Sequence, residues 1–157
     1  MFCNIYCAGH CVRYRILVTS SHRPTNTTRR FIKCLVSVIP NALRIARGKL
    51  TLDLLALQAI DLNIEKVLIV RNRKGNPAFI DVYVVDYLNK RLTKVCSLYM
   101  CGYSLNKIQI KPKFVRNAVV LHTKVLDLVN ENLIECMLTA FNAKIYDCVS
   151  IDKLCKK

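Results

Sequence analysis

A stretch near the start of the chain has the residue types that bind phosphate. It reads TSSHRPTNTTRRF, from Thr19 to Phe31, and lies between two apolar runs. Its hydroxyls can donate to phosphate oxygens, and Arg23, Arg29 and Arg30 can clamp phosphates, bidentately where the geometry allows. A capped helix with solvated arginines is the alternative, but capping accounts for one or two hydroxyls and not for three arginines without acids. The stretch therefore predicts anion recognition.

Two further basic turns follow predicted strands. RIARGKL carries Arg44, Arg47 and Lys49, and RNRKGNP is the second of these turns. The first predicted helix begins inside the opening stretch, and helix N-termini present unpaired N–H groups and a positive dipole to anions. In a β-α-β-α-β-β unit, all three turns can lie near one edge of the sheet, which predicts a shared anion site.

The charge of the whole chain indicates a polyanionic partner. The 157 residues include 25 Lys and Arg against 10 Asp and Glu, a net charge of +15. Residues 1–52 contain nine Lys and Arg and no acid, and residues 87–126 contain eight and no acid. Such an imbalance is typical of nucleic-acid binding, although a basic surface without a partner is the alternative. Because Trp is absent and the tyrosines are as readily core, recognition of RNA backbone and shape is favoured over base stacking.

The predicted RNA-contacting residues come from the three turns and the ends of their neighbouring elements. They are hydroxyl-bearing or basic side chains: Thr19, Ser20, Arg23, Thr28, Arg29, Arg30, Arg47, Lys49, Arg73 and Lys74. No metal ligand and no cofactor is predicted among them.

Motifs of catalysis do not emerge from the sequence. There is no G-x-G-x-x-G, and ARGKLT lacks both the earlier Gly and the hydroxyl of a phosphate-binding P-loop. His22 and His122 have no partner that spacing identifies, and Asp81 and Asp86 point to opposite faces of a strand. We expect a protein that is not an enzyme.

Composition predicts a cytoplasmic protein without a membrane segment. The apolar runs are broken by polar residues well before the ~18 residues that a membrane span needs. No secretory signal is recognised. The nine cysteines are expected to be reduced, with Cys34, Cys96 and Cys136 as small apolar residues, unless the source is a hyperthermophile.

Residues 1–12 are predicted to be a poorly ordered tail. Cys3, Cys7, His10 and Cys11 would share one side of a helix, but their spacing and the lack of a second pair disfavour zinc. A native start near Val12 is a further hypothesis.

Hydrophobic periodicity predicts alternating strands and helices. Strands are expected at 14–20, 43–47, 66–72 and 79–87, with helices from about Thr25 to Ile39 and from Thr51 onward. The second part is predicted to hold strands at 92–100, 104–110, 114–122 and 144–151, and a helix at 123–141. The expected buried faces are Phe31, Leu35, Val38 and Ile39 in the first helix and Leu52, Leu55, Ala56, Ala59 and Ile60 in the second.

An ordered set of residues over about 14–87 resembles the Brix domain in its short archaeal form. The segments are TSSHRPTNTTRRFIKCLVSVIP, RIARGKLTLDLLALQA and VLIVRNRKGNPAFIDVYVVD, and beyond Tyr87 only YMCGYSL is similar. The matching positions are Thr19, Ser20, Pro24, Thr28, Phe31, Leu35, Pro40, Arg47, Gly48, Leu55, Lys74, Gly75, Asn76 and Pro77.

The resemblance implies a fold, a function and partners. The expected fold is mixed α/β, a single Brix domain at 13–157 with halves at about 13–87 and 88–157, each similar to the anticodon-binding domain of class IIa aminoacyl-tRNA synthetases. The implied function is non-enzymatic ribosome biogenesis, through binding of precursor ribosomal RNA and assistance in its processing or assembly. Ribosomal proteins or other assembly factors are further expected partners. A protein–protein adaptor in pre-ribosomes and a tRNA-binding module remain alternatives.

Overall fold

Strands and helices alternate along the first part of the chain. The computed structural model describes residues 15–104, 120–122 and 131–146. The elements in chain order are β1 (Ile16–Ser20), α1 (Asn26–Val38), β2 (Ala42–Arg44), α2 (Leu52–Asp61), β3 (Lys66–Arg73), β4 (Asn76–Asp86), β5 (Arg91–Tyr99), β6 (Val120–His122), α3 (Glu131–Phe141) and β7 (Lys144–Tyr146). The predicted mixed α/β fold and the β-α-β-α-β-β order are confirmed.

The first five strands form one mixed sheet in the order β2-β1-β3-β4-β5. β1 is parallel to β2 and to β3, whereas β3, β4 and β5 are antiparallel neighbours. The carboxyl ends of β1, β2 and β3 therefore meet at one end of the sheet, where β4 begins and β5 ends. We call this end the carboxyl edge.

The central strands β1 and β3 are buried on both faces of the sheet, which explains their unbroken apolar runs. On one face, here the α1 face, Ile16, Val18 and Leu68 pack in a cluster that includes residues of α1 and α3. On the opposite α2 face, Leu17 and Val67 pack against residues of α2.

The helices begin as predicted, but in each helix one residue that was expected to be buried is exposed. Thr25 caps α1 by accepting from the N–H of Thr28, and Thr51 caps α2 in the same way. The expected burial of Val38 and Leu52 is wrong, because their side chains are 54% and 40% exposed. Ile32, which the sequence did not single out, takes the inner position of α1 and is 4% exposed.

The second part of the chain adds a helix and a small sheet. β6 and β7 are parallel neighbours, as expected for strands joined through a helix. α3 contributes Cys136 and Ala140 to the cluster on the α1 face. β5 lies beyond the boundary suggested at residue 87, yet it is hydrogen-bonded to β4 in the first sheet.

A disulfide joins β5 to α3. Cys96 and Cys136 are bonded with their Cα atoms 6.0 Å apart, so this pair is not reduced, and the disulfide that the sequence left possible for a hyperthermophilic source is present. Cys34 is a free thiol, but it is exposed and not the predicted small core residue. The sequence alone did not identify this pair, because Cys96 and Cys136 are 40 residues apart in the chain and meet only through tertiary packing.

Several predictions fall outside the described residues. These are the tail at 1–12 with its cysteines and His10, the strand at 104–110 beyond Ser104, and the parts of the later elements at 114–119, 123–130 and 147–151.

Candidate nucleic-acid interface

The three basic turns converge at the carboxyl edge. They follow β1 (residues 21–25), β2 (residues 45–51) and β3 (residues 74–75). Nδ1 of His22 lies 3.3 Å from the carbonyl oxygen of Gly48, which links the first turn to the second. Thr25 donates from Oγ1 to the carbonyl oxygen of Gly75 at 2.8 Å, which links the first turn to the third. The predicted meeting of the turns at one sheet edge is confirmed.

Four of the predicted contact residues are buried inside this junction. Thr19 is 0% exposed and donates to the carbonyl oxygen of Ile45 at 3.1 Å. Thr28 is also 0% exposed, and its hydroxyl donates to Oδ1 of Asn72 at 2.7 Å. These side chains hold the turns together, so the structure corrects their predicted role as direct phosphate ligands.

Ser20 and Arg47 need the same correction. Ser20 is 6% exposed and Arg47 is 8% exposed. Arg47 donates from Nε to the carbonyl oxygen of Leu50 at 3.1 Å, and the N–H of Leu50 donates back to the carbonyl oxygen of Arg47. A buried charge needs such partners, and here the guanidinium closes the turn that carries Lys49.

The other six predicted residues are exposed. They are all cationic: Arg23, Lys49 and Lys74 lie in the three turns, Arg73 ends β3, and Arg29 and Arg30 lie near the start of α1. We call these six residues the basic edge. The three turns contain no Asp or Glu, so no carboxylate within them competes for the cations.

Two cations of the basic edge sit on left-handed backbone. Arg23 has a φ of 53° and Lys74 a φ of 50°, in a region that non-glycine residues occupy at a cost of about 1 kcal/mol. Lys74 and Gly75 form the two-residue turn between β3 and β4, with a φ of 82° at Gly75. This pair of positive φ angles suits a tight hairpin turn.

The start of α1 is electropositive beyond its side-chain charges. Its first turn contains no acid, whereas Asp53 occupies the first turn of α2. A cation near a helix N-terminus opposes the helix dipole, and an anion there is stabilising. Arg29 and Arg30 follow directly after the first turn, so a bound phosphate offsets the unfavourable placement of both charges.

A second charged cluster lies on the α2 face, and sequence reasoning missed it. Asp81 is 2% exposed, and Arg71 donates to it through Nε and, at 3.1 Å, through Nη2. Nζ of Lys94 lies 3.0 Å from the same carboxylate, and Ser97 donates to it. Burial raises the pKa of Asp81, but the hydrogen bonds from Arg71, Ser97 and Lys94 outweigh it, so the pKa lies below its usual range. The sequence feature that could have indicated this cluster is the acidic residue Asp81 between Ile80 and Val82 in an apolar strand.

The described residues contain neither a membrane-spanning helix nor a metal-binding cluster. In residues 15–104, 120–122 and 131–146, no helix is long and apolar enough for a membrane span. The same part of the chain holds no group of His, Cys, Asp or Glu side chains arranged for a metal ion.

Known proteins resemble this chain in sequence and in fold. A probable Brix domain-containing ribosomal biogenesis protein of Pyrococcus horikoshii is 45% identical over 75 residues, which cover 46% of this chain and 34% of that protein. A protein of the same description from Saccharolobus solfataricus is 36% identical over 104 residues, 65% of this chain and 61% of that protein. The crystal structure of a probable ribosomal biogenesis protein from Aeropyrum pernix superposes with a TM-score of 0.65 at 28% identity, covering 85% of this chain and 75% of the other. The resemblance to the Brix domain is confirmed.

The extent of the Brix resemblance is limited in two ways. No family model matches the chain. The chain also spans only about a third of the length of the Pyrococcus relative, with 34% covered.

Several positions that carry the Brix resemblance form the junction described above. Thr19, Thr28 and Arg47 supply its buried hydrogen bonds, and Gly48 and Gly75 supply the acceptor carbonyls of two turns. The Brix-like pattern is therefore explained physically as the frame that holds three basic turns side by side.

Proposed function

We propose that this Brix-like chain acts in ribosome biogenesis by binding precursor ribosomal RNA through its basic edge, and that it catalyses no reaction itself. The relatives named as ribosomal biogenesis proteins support the process. The net charge of +15 supports a polyanionic partner.

One observation carries the proposal. Six exposed cations, three in the turns and three in the adjoining ends of α1 and β3, lie at one edge of the sheet. The turns are tied by the hydrogen bonds from His22 to Gly48 and from Thr25 to Gly75. Tied turns keep the cations in place before binding, so less conformational entropy is lost when phosphates engage them. Contacts of this kind go to the RNA backbone and position the protein on it without reading the sequence.

Ultraviolet crosslinking in the native cells, followed by sequencing of the attached RNA, tests the proposal. We expect reads to accumulate at a few positions of precursor ribosomal RNA. The control is the same chain with glutamine at Arg29, Arg30 and Lys74, which is expected to lose most of the crosslinked RNA.

Two results of that experiment would refute the proposal. Reads concentrated on tRNA would identify a tRNA-binding module. A near absence of reads, together with co-purification of ribosomal or assembly proteins after nuclease treatment, would identify a protein–protein adaptor.

A further inference from the structure

An aromatic and cationic row lies on the α2 face beside the carboxyl edge. Arg71, Phe79 and Tyr99 are aligned across β3, β4 and β5, because Arg71 pairs with Phe79 and Phe79 pairs with Tyr99. The rings of Phe79 and Tyr99 have centroids 5.1 Å apart and are tilted by 41°. The guanidinium carbon of Arg71 lies 4.5 Å from the centroid of Phe79. The three side chains form one continuous surface.

The two ends of this row are open to solvent, and Phe79 between them is partly buried. Tyr99 is 55% exposed and the side chain of Arg71 is 43% exposed. Farther from the carboxyl edge, the α2 face is closed by α2, where Leu55 and Ala59 pack with Val67. The sequence left Tyr99 as readily a core residue as a stacking one, and the structure places it at the surface.

Hydrogen bonds to Asp81 fix the position of Arg71 in the row. The two hydrogen bonds from Arg71 to Asp81 fix the plane of the guanidinium, and Lys94 and Ser97 bind the same carboxylate. Arg71 thus directs Nε and Nη2 to Asp81 while its guanidinium lies over the ring of Phe79. A guanidinium fixed in this way offers a flat surface and not a mobile charge.

The row is continuous with the basic edge. Arg73 pairs with Asn76 at the end of the hairpin, and Lys74 stands at its tip. Phe79 is three strand residues from Asn76, or about 10 Å along β4. A nucleotide chain whose phosphates contact Arg73 and Lys74 can therefore extend a base onto the row.

We propose that Tyr99, Phe79 and Arg71 form a stacking platform for an unpaired base of single-stranded RNA. This inference rests on the proposed function and goes beyond it, because the platform selects unpaired over duplex RNA. Exposed aromatic rings beside cations are how single-strand binders hold bases, since every base offers a π face. Bases within a duplex are already stacked on their neighbours and do not reach such a surface.

The test uses the absence of tryptophan from the chain. The Tyr99→Trp variant carries a single indole at the platform, and Tyr87→Trp is the matched control. Tyr87 is 44% exposed and follows the other end of β4. The probes are a mixed-sequence single-stranded RNA of about ten nucleotides and the same sequence as a duplex. We expect the single strand to quench the indole of Tyr99→Trp and to leave that of Tyr87→Trp unchanged.

Affinities give the second measurement. Tyr99→Leu is expected to weaken binding of the single strand by roughly 5- to 150-fold, the range for loss of one stacked base. Tyr99→Phe is expected to retain the native affinity, and neither variant is expected to change duplex affinity. Circular dichroism confirms that each variant is folded.

The outcomes separate this inference from the proposed function. If the native chain binds RNA but Tyr99→Leu changes neither affinity, or weakens both equally, the platform is refuted and the basic edge is not. If the native chain binds neither probe, the proposed function fails and the platform fails with it. If an apolar peptide quenches the indole of Tyr99→Trp and the single-stranded RNA does not, the row binds a protein partner and the platform is refuted.

Discussion

Replacing Arg29 and Arg30 by glutamine tests whether the basic edge binds RNA phosphates. Both side chains are exposed and follow the first turn of α1, where the helix dipole also favours an anion. Each cation that contacts a phosphate releases condensed counterions, so the logarithm of the affinity falls linearly with the logarithm of the salt concentration. The quantity to measure is therefore the slope of that line as well as the affinity.

The number of cations in the basic edge sets the expected slope. With one phosphate for each of its six cations, the slope on single-stranded RNA is about −4, from about −0.7 per contact. Between about 50 and 200 mM salt, the native affinity then falls by roughly 300-fold. With Arg29 and Arg30 neutralised, the slope is about −3 and the fall is roughly 50-fold.

A matched control variant separates the effect of where the neutralised charges lie from the effect of the lower net charge. Lys90 and Arg91 lie at the turn between β4 and β5, at the end of the sheet opposite the carboxyl edge. Arg91 makes a surface ion pair with Asp86 at 3.6 Å, which contributes little to stability. Glutamine at both positions also lowers the net charge from +15 to +13, since 15 − 2 = 13. We expect this variant to keep the native slope.

The assay is fluorescence anisotropy with a labelled single-stranded RNA over a series of salt concentrations. Equal reductions of the slope in both double variants would show that net charge and not the basic edge governs binding. An unchanged slope in the Arg29 and Arg30 variant would show that these two side chains do not contact phosphate. Either result refutes the reasoning.

Three further predictions concern the contacts that hold the fold. Thr25→Val removes both the cap of α1 and the hydrogen bond to Gly75, so urea denaturation should show a loss of about 1–2 kcal/mol, whereas Thr25→Ser should retain most of the stability. Asp81→Asn should cost about 1–3 kcal/mol at neutral pH. The pKa of Asp81 is lowered in the folded chain, so its contribution to the free energy of unfolding is complete above the pKa of an unfolded aspartate and is lost as pH falls through the folded value. The melting temperatures of the native chain and of Asp81→Asn should therefore converge as pH decreases. A difference that stays constant with pH would contradict this. Reducing the bond between Cys96 and Cys136, 40 residues apart, should lower the free energy of unfolding by about 4 kcal/mol from loop entropy, and a double serine variant that is insensitive to reductant is the control.

Local sequence determined the elements of this protein and the place of its basic turns. Helix starts near Thr25 and at Thr51 were predicted from sequence, because a cap needs only a polar side chain and the N–H groups that follow within one turn. The convergence of the turns followed from the alternation of strands and helices, since parallel strands end at the same edge of a sheet. The order of particular residues along about 14–87 carried the Brix resemblance.

Tertiary structure decided which of those residues face solvent. Thr19 and Arg47 had the right chemistry for phosphate, but both are buried, and each donates to a carbonyl oxygen of the turn after β2. The cluster around Asp81 and the row from Arg71 to Tyr99 depend on strand register, including an irregularity between Val82 and Tyr83 that shifts the pairing with β5. Register couples residues far apart in the chain, and a slip of one position moves a side chain to the opposite face. The local sequence pattern does not determine the register between strands, so the platform could be identified only from the folded sheet.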